Sequence, residues 1–413
     1  MSPLPPTPRY AENATSTAWM NPARSLAILF VVAIHSVSAT VETDLSSHGD
    51  ATWWSANLID ATARWSVPVF LMISGALALD PDRGVRPREF LIKRFYRIGI
   101  PLVVWTIVYI LFRLFYEGRI HTTWSPIAAI LTGSPYVQLY FLYVLAGLIL
   151  LTPFMRLLSL HGTKRLQWGT AGILLAIGMA DHVISTFFDV GEPNAATRFL
   201  PLMGYYVLGF VLRDWILTRK QTILAWLVFF ASYSAILAWS AIGPGDRPWR
   251  FAYEYVSPFV VPMSLAAYVL LHTHMRTGWR FLTRIYPYSF GVFLLHPLIL
   301  FPMRQVIGYP NTVGSVLFHG LVLPIVYTLV CTAITWLMLK IPFVRAAFGA
   351  GRPFRTPRLR HRRTGHARAR LRPADCLDDG RPARGRYRQR EDARHLVQGQ
   401  ACGKDGDDTT SGS

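Results

Sequence analysis

Two ionisable residues lie in one apolar stretch near the start of the chain. Arg24 and His35 both fall in NPARSLAILFVVAIHSVSAT, residues 21–40, and are eleven residues apart. At about 100° per residue this spacing puts both side chains on one helix face, separated by about 16 Å along the axis. Ionisable side chains are rare in membrane helices, so the pair indicates a functional site. The alternative is an arginine that fixes orientation and a histidine bonded to a neighbouring helix.

The composition of the whole chain indicates an integral membrane protein. Of its 413 residues, 52% are hydrophobic and only 16% are charged, and a soluble domain of this length would need a more charged surface. The net charge of +19 lies in short loops between apolar runs and in an Arg-rich segment at the end of the chain. That distribution favours membrane topology over a basic face for nucleic acid, so we expect no nucleic-acid partner. The cysteines show no metal-binding spacing, and we expect no metal.

Apolar runs predict an all-α membrane domain of about ten transmembrane helices. They lie at 22–41, 63–79, 97–116, 138–155, 167–187, 198–212, 221–242, 252–271, 285–305 and 316–339, and the second and sixth are short. Lys and Arg cluster in alternate loops, whereas loops such as 41–62 and 188–197 carry neither, so both termini are predicted to be cytoplasmic. We therefore divide the chain into a polar N-terminal segment (1–20), a membrane domain (21–348) and an Arg-rich cytoplasmic tail (349–413) that is predicted to be disordered.

Two further stretches carry residues that could serve the same site. In the second span, Pro68 is predicted to break the helix in mid-span, and Ser74-Gly75 would let a ligand or another backbone come close. A kinked helix with a small-residue packing face is the alternative. In FLIKRFYRIGIPLVVW, residues 90–105, Arg94 and Arg97 are three apart and should share one helix face. Paired guanidinium groups suit a diphosphate, unless these arginines only anchor the topology.

Taken in order, six sequence elements resemble those of the acyltransferase 3 family of bacterial membrane O-acyltransferases. They are Arg-x10-His in the first helix, VPVFLMISG at 67–75, KRFYRIGIP at 93–101, QLYFLYVLAGLILLTP at 138–153, GYYVLGFVLR at 204–213 and YSFGVFLLHPLIL at 288–300. The resemblance covers about 21–345. One departure is Gln138-Leu139-Tyr140, which stands where the family usually has His-Leu-Trp.

The resemblance implies an activity, its substrates and a location. In this family an acyl group, usually acetyl from acetyl-CoA, is transferred to a hydroxyl of a carbohydrate or glycolipid during modification of cell-surface polysaccharide. The resemblance also implies a multi-pass protein of the bacterial cytoplasmic (inner) membrane. Acyl-CoA, the acceptor and the lipid bilayer are the implied partners. Acyl-CoA would be a co-substrate, and no bound cofactor is expected.

Site residues also follow from the resemblance. The functional pair of the family's first helix corresponds to Arg24 and His35, which implies catalytic roles for both. The family's two arginines correspond to Arg94 and Arg97, which are expected to bind the acyl donor, and we add Ser74 to that donor site. Two other residues are candidates to orient the acceptor or to support the site, namely His296 and Tyr140. A histidine that bonds a neighbouring helix and a tyrosine that only packs are the alternatives for these two.

The chemistry fits a histidine in the membrane. A thioester is already activated, so the protein must position it, take a proton from a hydroxyl and stabilise an oxyanion. Neutral imidazole suits the role of general base. Whether His35 instead carries the acyl group covalently stays open. A transporter or flippase of a lipid-linked saccharide is the competing function, although it would have no specific reason to combine Arg24 and His35 with Arg94 and Arg97.

Two charged pairs near the outer ends of predicted spans complete the candidates. Asp60 and Arg64 could line an opening for the acceptor, or they could form an ion pair on one helix. The same two alternatives, an opening for the acceptor or a structural role, apply to Asp181 and His182, and the structural role is favoured for them.

Overall fold

The computed structural model describes six stretches of the chain, and their regular secondary structure consists of helices without a strand. The described residues are 17–42, 48–83, 86–191, 194–242, 249–275 and 279–350. The predictions for most of the N-terminal segment (1–20) and of the Arg-rich tail (349–413) fall outside them.

The helices of the described residues are numbered α1 to α12 in chain order, and a helix that continues through a π or 3₁₀ turn is counted once. They are α1 Met20–Glu42, α2 Ala51–Ala63, α3 Ser66–Ala78, α4 Pro87–Tyr116, α5 Pro126–Leu131, α6 Tyr140–His161, α7 Lys164–Phe188, α8 Leu200–Val211, α9 Arg219–Ser240, α10 Val260–His274, α11 Arg280–Ile307 and α12 Val313–Met338.

Each predicted span has a helical counterpart, and the second and third predictions were too short at their starts. Within the described residues, eight helical segments are long and apolar enough to cross a membrane, and α8 and α10 are shorter apolar helices. The second span was predicted at 63–79, but its helical segment is Ala51–Ala78. The part predicted as loop is α2, whose polar residues Asn57 and Asp60 are buried inside the bundle. A hydropathy scan misses such a segment because it measures apolar content and not burial.

Pro68 does not lie in mid-helix as predicted. It is the third residue of α3, and the break between α2 and α3 falls just before that helix, at Arg64-Trp65. The first-turn N–H groups of a helix have no intrahelical acceptor, so proline is tolerated there. The residue therefore helps to start a helix after the break, and it does not kink one in its middle.

Helix α1 lies at the centre of the bundle, where α2, α3, α11 and α12 pack around it. The most apolar 18-residue stretch of each long helical segment shows this arrangement. Of the residues in that stretch, 61% are buried in α1 and 78% in α2–α3, against 44% or less in each of the other six segments. Outer helices such as α7 and α9 instead expose large apolar side chains, including Ile173 and Phe230. The chain thus buries α1 and α2–α3 inside the bundle and presents aliphatic and aromatic surface outward, as a bilayer requires.

Helices α3 and α8 touch through their backbones at two glycines. A Cβ on Gly75 would lie 1.8 Å from the carbonyl oxygen of Tyr206, and one on Gly209 would lie 1.9 Å from the carbonyl oxygen of Met72. Small residues let membrane helices come this close. The close approach predicted at Ser74-Gly75 is therefore to a neighbouring backbone.

Replacing Gly75 by alanine is expected to force α3 and α8 apart, because the added methyl group overlaps a backbone oxygen that cannot move aside. Overpacking that forces backbone to shift typically costs about 1–3 kcal/mol and occasionally more. The thermal unfolding midpoint in detergent measures the loss. Gly169→Ala in α7 is the matched control, since nothing lies within 4 Å of its added Cβ. Equal midpoints for the two variants would contradict the tight α3–α8 contact.

Candidate active site

A cavity of about 1040 Å³ runs beside α1 through the bundle. Arg24, Arg94 and Arg97 line one end of it, called here the Arg24 end. Glu42 and Arg64 line the other, called the Glu42 end. Glu42 follows Arg24 by eighteen positions in one continuous helix, which is about 27 Å at 1.5 Å per residue and close to the thickness of a bilayer's hydrocarbon core. One cavity therefore extends over the depth of the membrane.

Three ionisable residues of α1 share the face that lines this cavity. Arg24, His35 and Glu42 are eleven and seven residues apart, and all three line it. Both spacings are close to whole turns of an α-helix. The predicted pair of Arg24 and His35 is thus part of a row of three. Helical periodicity is the signal that could identify Glu42, but this residue lies one position beyond the predicted span 22–41.

The Arg24 end brings three guanidinium groups to one cavity wall. The Nη1 of Arg24 donates to the hydroxyl of Tyr286 at 3.2 Å, and its guanidinium lies 5.8 Å from the centre of that ring. Arg94 is half-buried and directly precedes the π turn Phe95–Gly99, and Arg97 is exposed and lies within that turn. Such turns recur at functional sites in helices. Converging guanidinium groups can bind a polyanion such as a diphosphate.

Ser74 lines the same cavity, in α3. Its Oγ donates to the carbonyl oxygen of Phe70 at 2.7 Å, one turn earlier in the same helix. Because its hydroxyl hydrogen is used there, Ser74 has only lone pairs left for a ligand. The Oγ of Ser74 could accept a hydrogen bond from a ligand, but its hydroxyl could not donate one to a phosphate without rotating away from Phe70.

His35 lies on the cavity wall and His296 lies behind it. The two rings have centroids 5.2 Å apart and planes inclined by 31°. His296 is 0% exposed and is not among the described residues that line the cavity. Its Nδ1 lies 3.1 Å and 3.0 Å from the carbonyl oxygens of Val292 and Phe293 in its own helix. This placement favours a supporting role for His296 over contact with an acceptor.

Arg304 is a buried arginine that the sequence analysis missed. It lies in the last turn of α11, is 5% exposed, and donates from Nη2 to the backbone carbonyl of His35. Its guanidinium lies 5.2 Å from the centre of the Phe301 ring. In the sequence it stands one residue before the end of a predicted span, where an arginine is ordinarily a flanking charge. Only the packing of α11 on α1 reveals its contact.

An ion-paired cluster forms the Glu42 end. Arg64 donates from Nε to Oδ2 of Asp60 at 2.8 Å, and its Nη2 lies 3.1 Å from Oε1 of Glu42. Its guanidinium also lies 4.7 Å from the centre of the Tyr253 ring. The ion pair between Asp60 and Arg64 that we kept as an alternative is present. Arg64 also lines the cavity, whereas Asp60 is 0% exposed behind it.

Tyrosines and an amide line the wall next to this cluster. Tyr140 and Tyr255 both face the cavity, with ring centroids 6.5 Å apart and planes inclined by 13°. Burial raises the pKa of Tyr255 to about 12, so its phenol is protonated at neutral pH. Gln138 lines the same region and is 1% exposed. Aromatic faces beside neutral hydrogen-bonding groups can hold a ligand rich in hydroxyls.

Asp181 and His182 do not belong to this site. His182 lies 3.1 Å, through Nε2, from the carbonyl oxygen of Phe251 and stacks on that ring at 4.7 Å, while Asp181 is exposed. These contacts favour the structural interpretation for His182, and neither residue lines the cavity. Among the described residues, no group of three or more His, Cys, Asp or Glu side chains is arranged to hold a metal ion.

Fold and cavity together define a multi-pass membrane protein with a histidine on the wall of an internal cavity. The chain belongs to the acyltransferase 3 family: the family profile, described as an acyltransferase domain, matches residues 17–340. That match includes every helix from α1 to α12, so the whole bundle is the acyltransferase domain. No match to the chain was found among curated proteins or among solved structures.

Proposed function

We propose that this membrane acyltransferase moves an acyl group, acetyl in the simplest case, from acyl-CoA to a hydroxyl of a carbohydrate or glycolipid. The modification of cell-surface polysaccharide in the bacterial inner membrane is the proposed setting. One observation carries the proposal: six of the seven predicted site residues line one cavity. They are Arg24, His35, Ser74, Arg94, Arg97 and Tyr140. A transferase must bring two substrates to one base, and a cavity that extends to both ends of the bundle allows this.

The donor is proposed to bind at the Arg24 end. Its phosphates would interact with Arg94 and Arg97, and the positive-inside pattern supports a cytoplasmic location for this end, where acyl-CoA is made. Arg24 is about 16 Å from His35 along α1, too far for both side chains to touch the same reacting atoms. We therefore assign Arg24 to the donor phosphates and not to proton transfer.

His35 is proposed as the general base. Its neutral ring takes the proton of the acceptor hydroxyl while that oxygen attacks the thioester carbonyl. The carbon–sulfur bond then breaks, and the departing thiolate of CoA takes the proton back from the imidazolium. The products are an ester and free CoA, and His35 returns to its neutral form. The acceptor would approach from the Glu42 end, past Tyr140 and Tyr255.

The test is acyl transfer by purified protein in lipid nanodiscs. Radiolabelled acetyl-CoA is supplied with a mixture of membrane glycolipids and polysaccharide, and free CoA thiol and acceptor label are measured together. We expect the glycolipid or polysaccharide acceptor to carry the label, and mild alkali to release that label as acetate. One CoA thiol should form for each acetyl group transferred. Movement of a lipid-linked saccharide across vesicles without use of acetyl-CoA would instead indicate the transporter alternative.

A further inference from the structure

Pro297 deprives one carbonyl group of α11 of its helical hydrogen bond. In an α-helix each N–H donates to the carbonyl four residues earlier, and proline has no N–H. Pro297 lies inside α11, so the carbonyl of Phe293 lacks that donor. His296 supplies a substitute, because its Nδ1 lies 3.0 Å from this same oxygen. Pro297 thus removes the backbone donor of the Phe293 carbonyl, and its neighbour His296 supplies a side-chain donor in its place.

This contact fixes which nitrogen of His296 carries the hydrogen. A carbonyl oxygen only accepts, so Nδ1 must be the protonated nitrogen of the neutral ring. Nε2 is then an acceptor with a lone pair. It is fully buried and has no hydrogen-bond partner among the described residues. Leaving a buried acceptor unpaired is unfavourable, so such an atom usually has a role.

The ring of His35 is the neighbour that can pair with this acceptor. The centroids are 5.2 Å apart, so a rotation of the His35 ring can bring one of its nitrogens within hydrogen-bond distance of Nε2, although the structure itself does not contain that bond. Helix α11 also holds α1 at this level, since Arg304 donates to the backbone carbonyl of His35. His35 lines the cavity, and His296 lies behind it.

We propose that His296 is a positioning residue for His35. Its Nε2 accepts a hydrogen bond from an N–H of the His35 ring, which leaves the other nitrogen of His35 as the lone pair that faces the cavity. The inference rests on the proposed function, in which that lone pair takes the acceptor proton. When His35 becomes an imidazolium, its hydrogen bond to Nε2 becomes charge-assisted and strengthens. Pro297 contributes to this positioning because it leaves the carbonyl of Phe293 free to accept from Nδ1 of His296, and that contact fixes the His296 tautomer.

Two substitutions of similar size separate this role from packing. His296→Asn keeps an amide N–H near the position of Nδ1 but has no atom near that of Nε2, whereas His296→Gln extends an amide oxygen towards the Nε2 position. We expect His296→Asn to lower kcat roughly 30-fold, with KM for acyl-CoA unchanged, as for other groups that orient a functional histidine. His296→Gln should recover most of that loss. Pro297→Ala restores an N–H for Phe293 and should lower kcat without a change in KM.

Activity, KM and the thermal midpoint are measured for each variant beside the wild type. Wild-type kcat in His296→Asn would overturn the inference. Equal losses of kcat in the Asn and Gln variants, together with equal losses in thermal midpoint, would also overturn it, because packing would then explain both. If His296→Asn does not fold, wild-type kcat in Pro297→Ala overturns it instead. A wild-type protein that transfers no acyl group under any condition would remove the proposed function itself. The failure of the proposed function is thereby distinguished from the failure of the positioning role of His296, which is seen only in the variants.

Discussion

Replacing His35 by alanine is expected to abolish acyl transfer while the protein still inserts, folds and binds acyl-CoA. General-base catalysis contributes about 10²–10⁴-fold, and we expect a loss of kcat of roughly 10³-fold or more. Donor affinity should persist, because the guanidinium groups of Arg24, Arg94 and Arg97 line the cavity end away from His35. Acyl transfer and CoA binding are measured on the same preparation of protein in nanodiscs.

Ser38→Ala is the matched control for this loss. Ser38 lies one turn after His35 in α1 and lines the same cavity. It has no role in the proposed chemistry, so its variant should keep nearly all activity. A His35→Ala variant that still transfers acyl groups at the wild-type rate would remove the proton-transfer role.

Removing two of the three arginines of the proposed donor site is expected to weaken CoA binding roughly 100-fold or more. Hydrogen bonds to charged groups contribute about 1.5–3 kcal/mol each, or roughly tenfold or more in affinity per guanidinium. The double variant Arg94→Ala and Arg97→Ala is compared with the wild type by titration calorimetry with CoA. Each single variant should show an intermediate loss, and the affinity of the wild type should fall as salt rises.

Arg88→Ala controls for the general effect of charge. Arg88 is exposed in the first turn of α4 and does not line the cavity, yet its removal changes the net charge by the same amount as either single variant. It should leave CoA affinity close to the wild-type value. Equal weakening by Arg88→Ala and Arg94→Ala would contradict a specific phosphate site.

Local periodicity was enough to predict most of the helices and one face of α1. Long apolar runs identify helices because the bilayer demands about 20 such residues, and the spacing of Arg24 and His35 fixes their shared face wherever the helix is continuous. The same logic failed for α2, whose Asn57 and Asp60 are buried among other helices. Polar residues that face protein inside a membrane bundle are invisible to a scan for apolar content.

His296 was a predicted candidate to support the site, but the contacts of the second layer could not be predicted, because they join distant parts of the chain. His296 approaches His35 from α11, and Arg304 bonds to the backbone carbonyl of His35 from the same helix. Arg64 joins Glu42 only because α2 packs against the end of α1. Residue type, spacing and above all the family resemblance identified side chains that line the cavity, but the groups that hold them follow from tertiary packing.

The central claim is that one cavity holds the donor with its phosphates at the Arg24 end and its acyl group at His35. The most direct measurement is an electron cryomicroscopy structure with a non-hydrolysable acyl-CoA analogue. We expect density for the phosphates against Arg94 and Arg97 and for the acyl carbonyl within hydrogen-bond reach of the His35 ring. A nucleotide bound outside this cavity, or an acyl group that ends away from His35, would contradict the account.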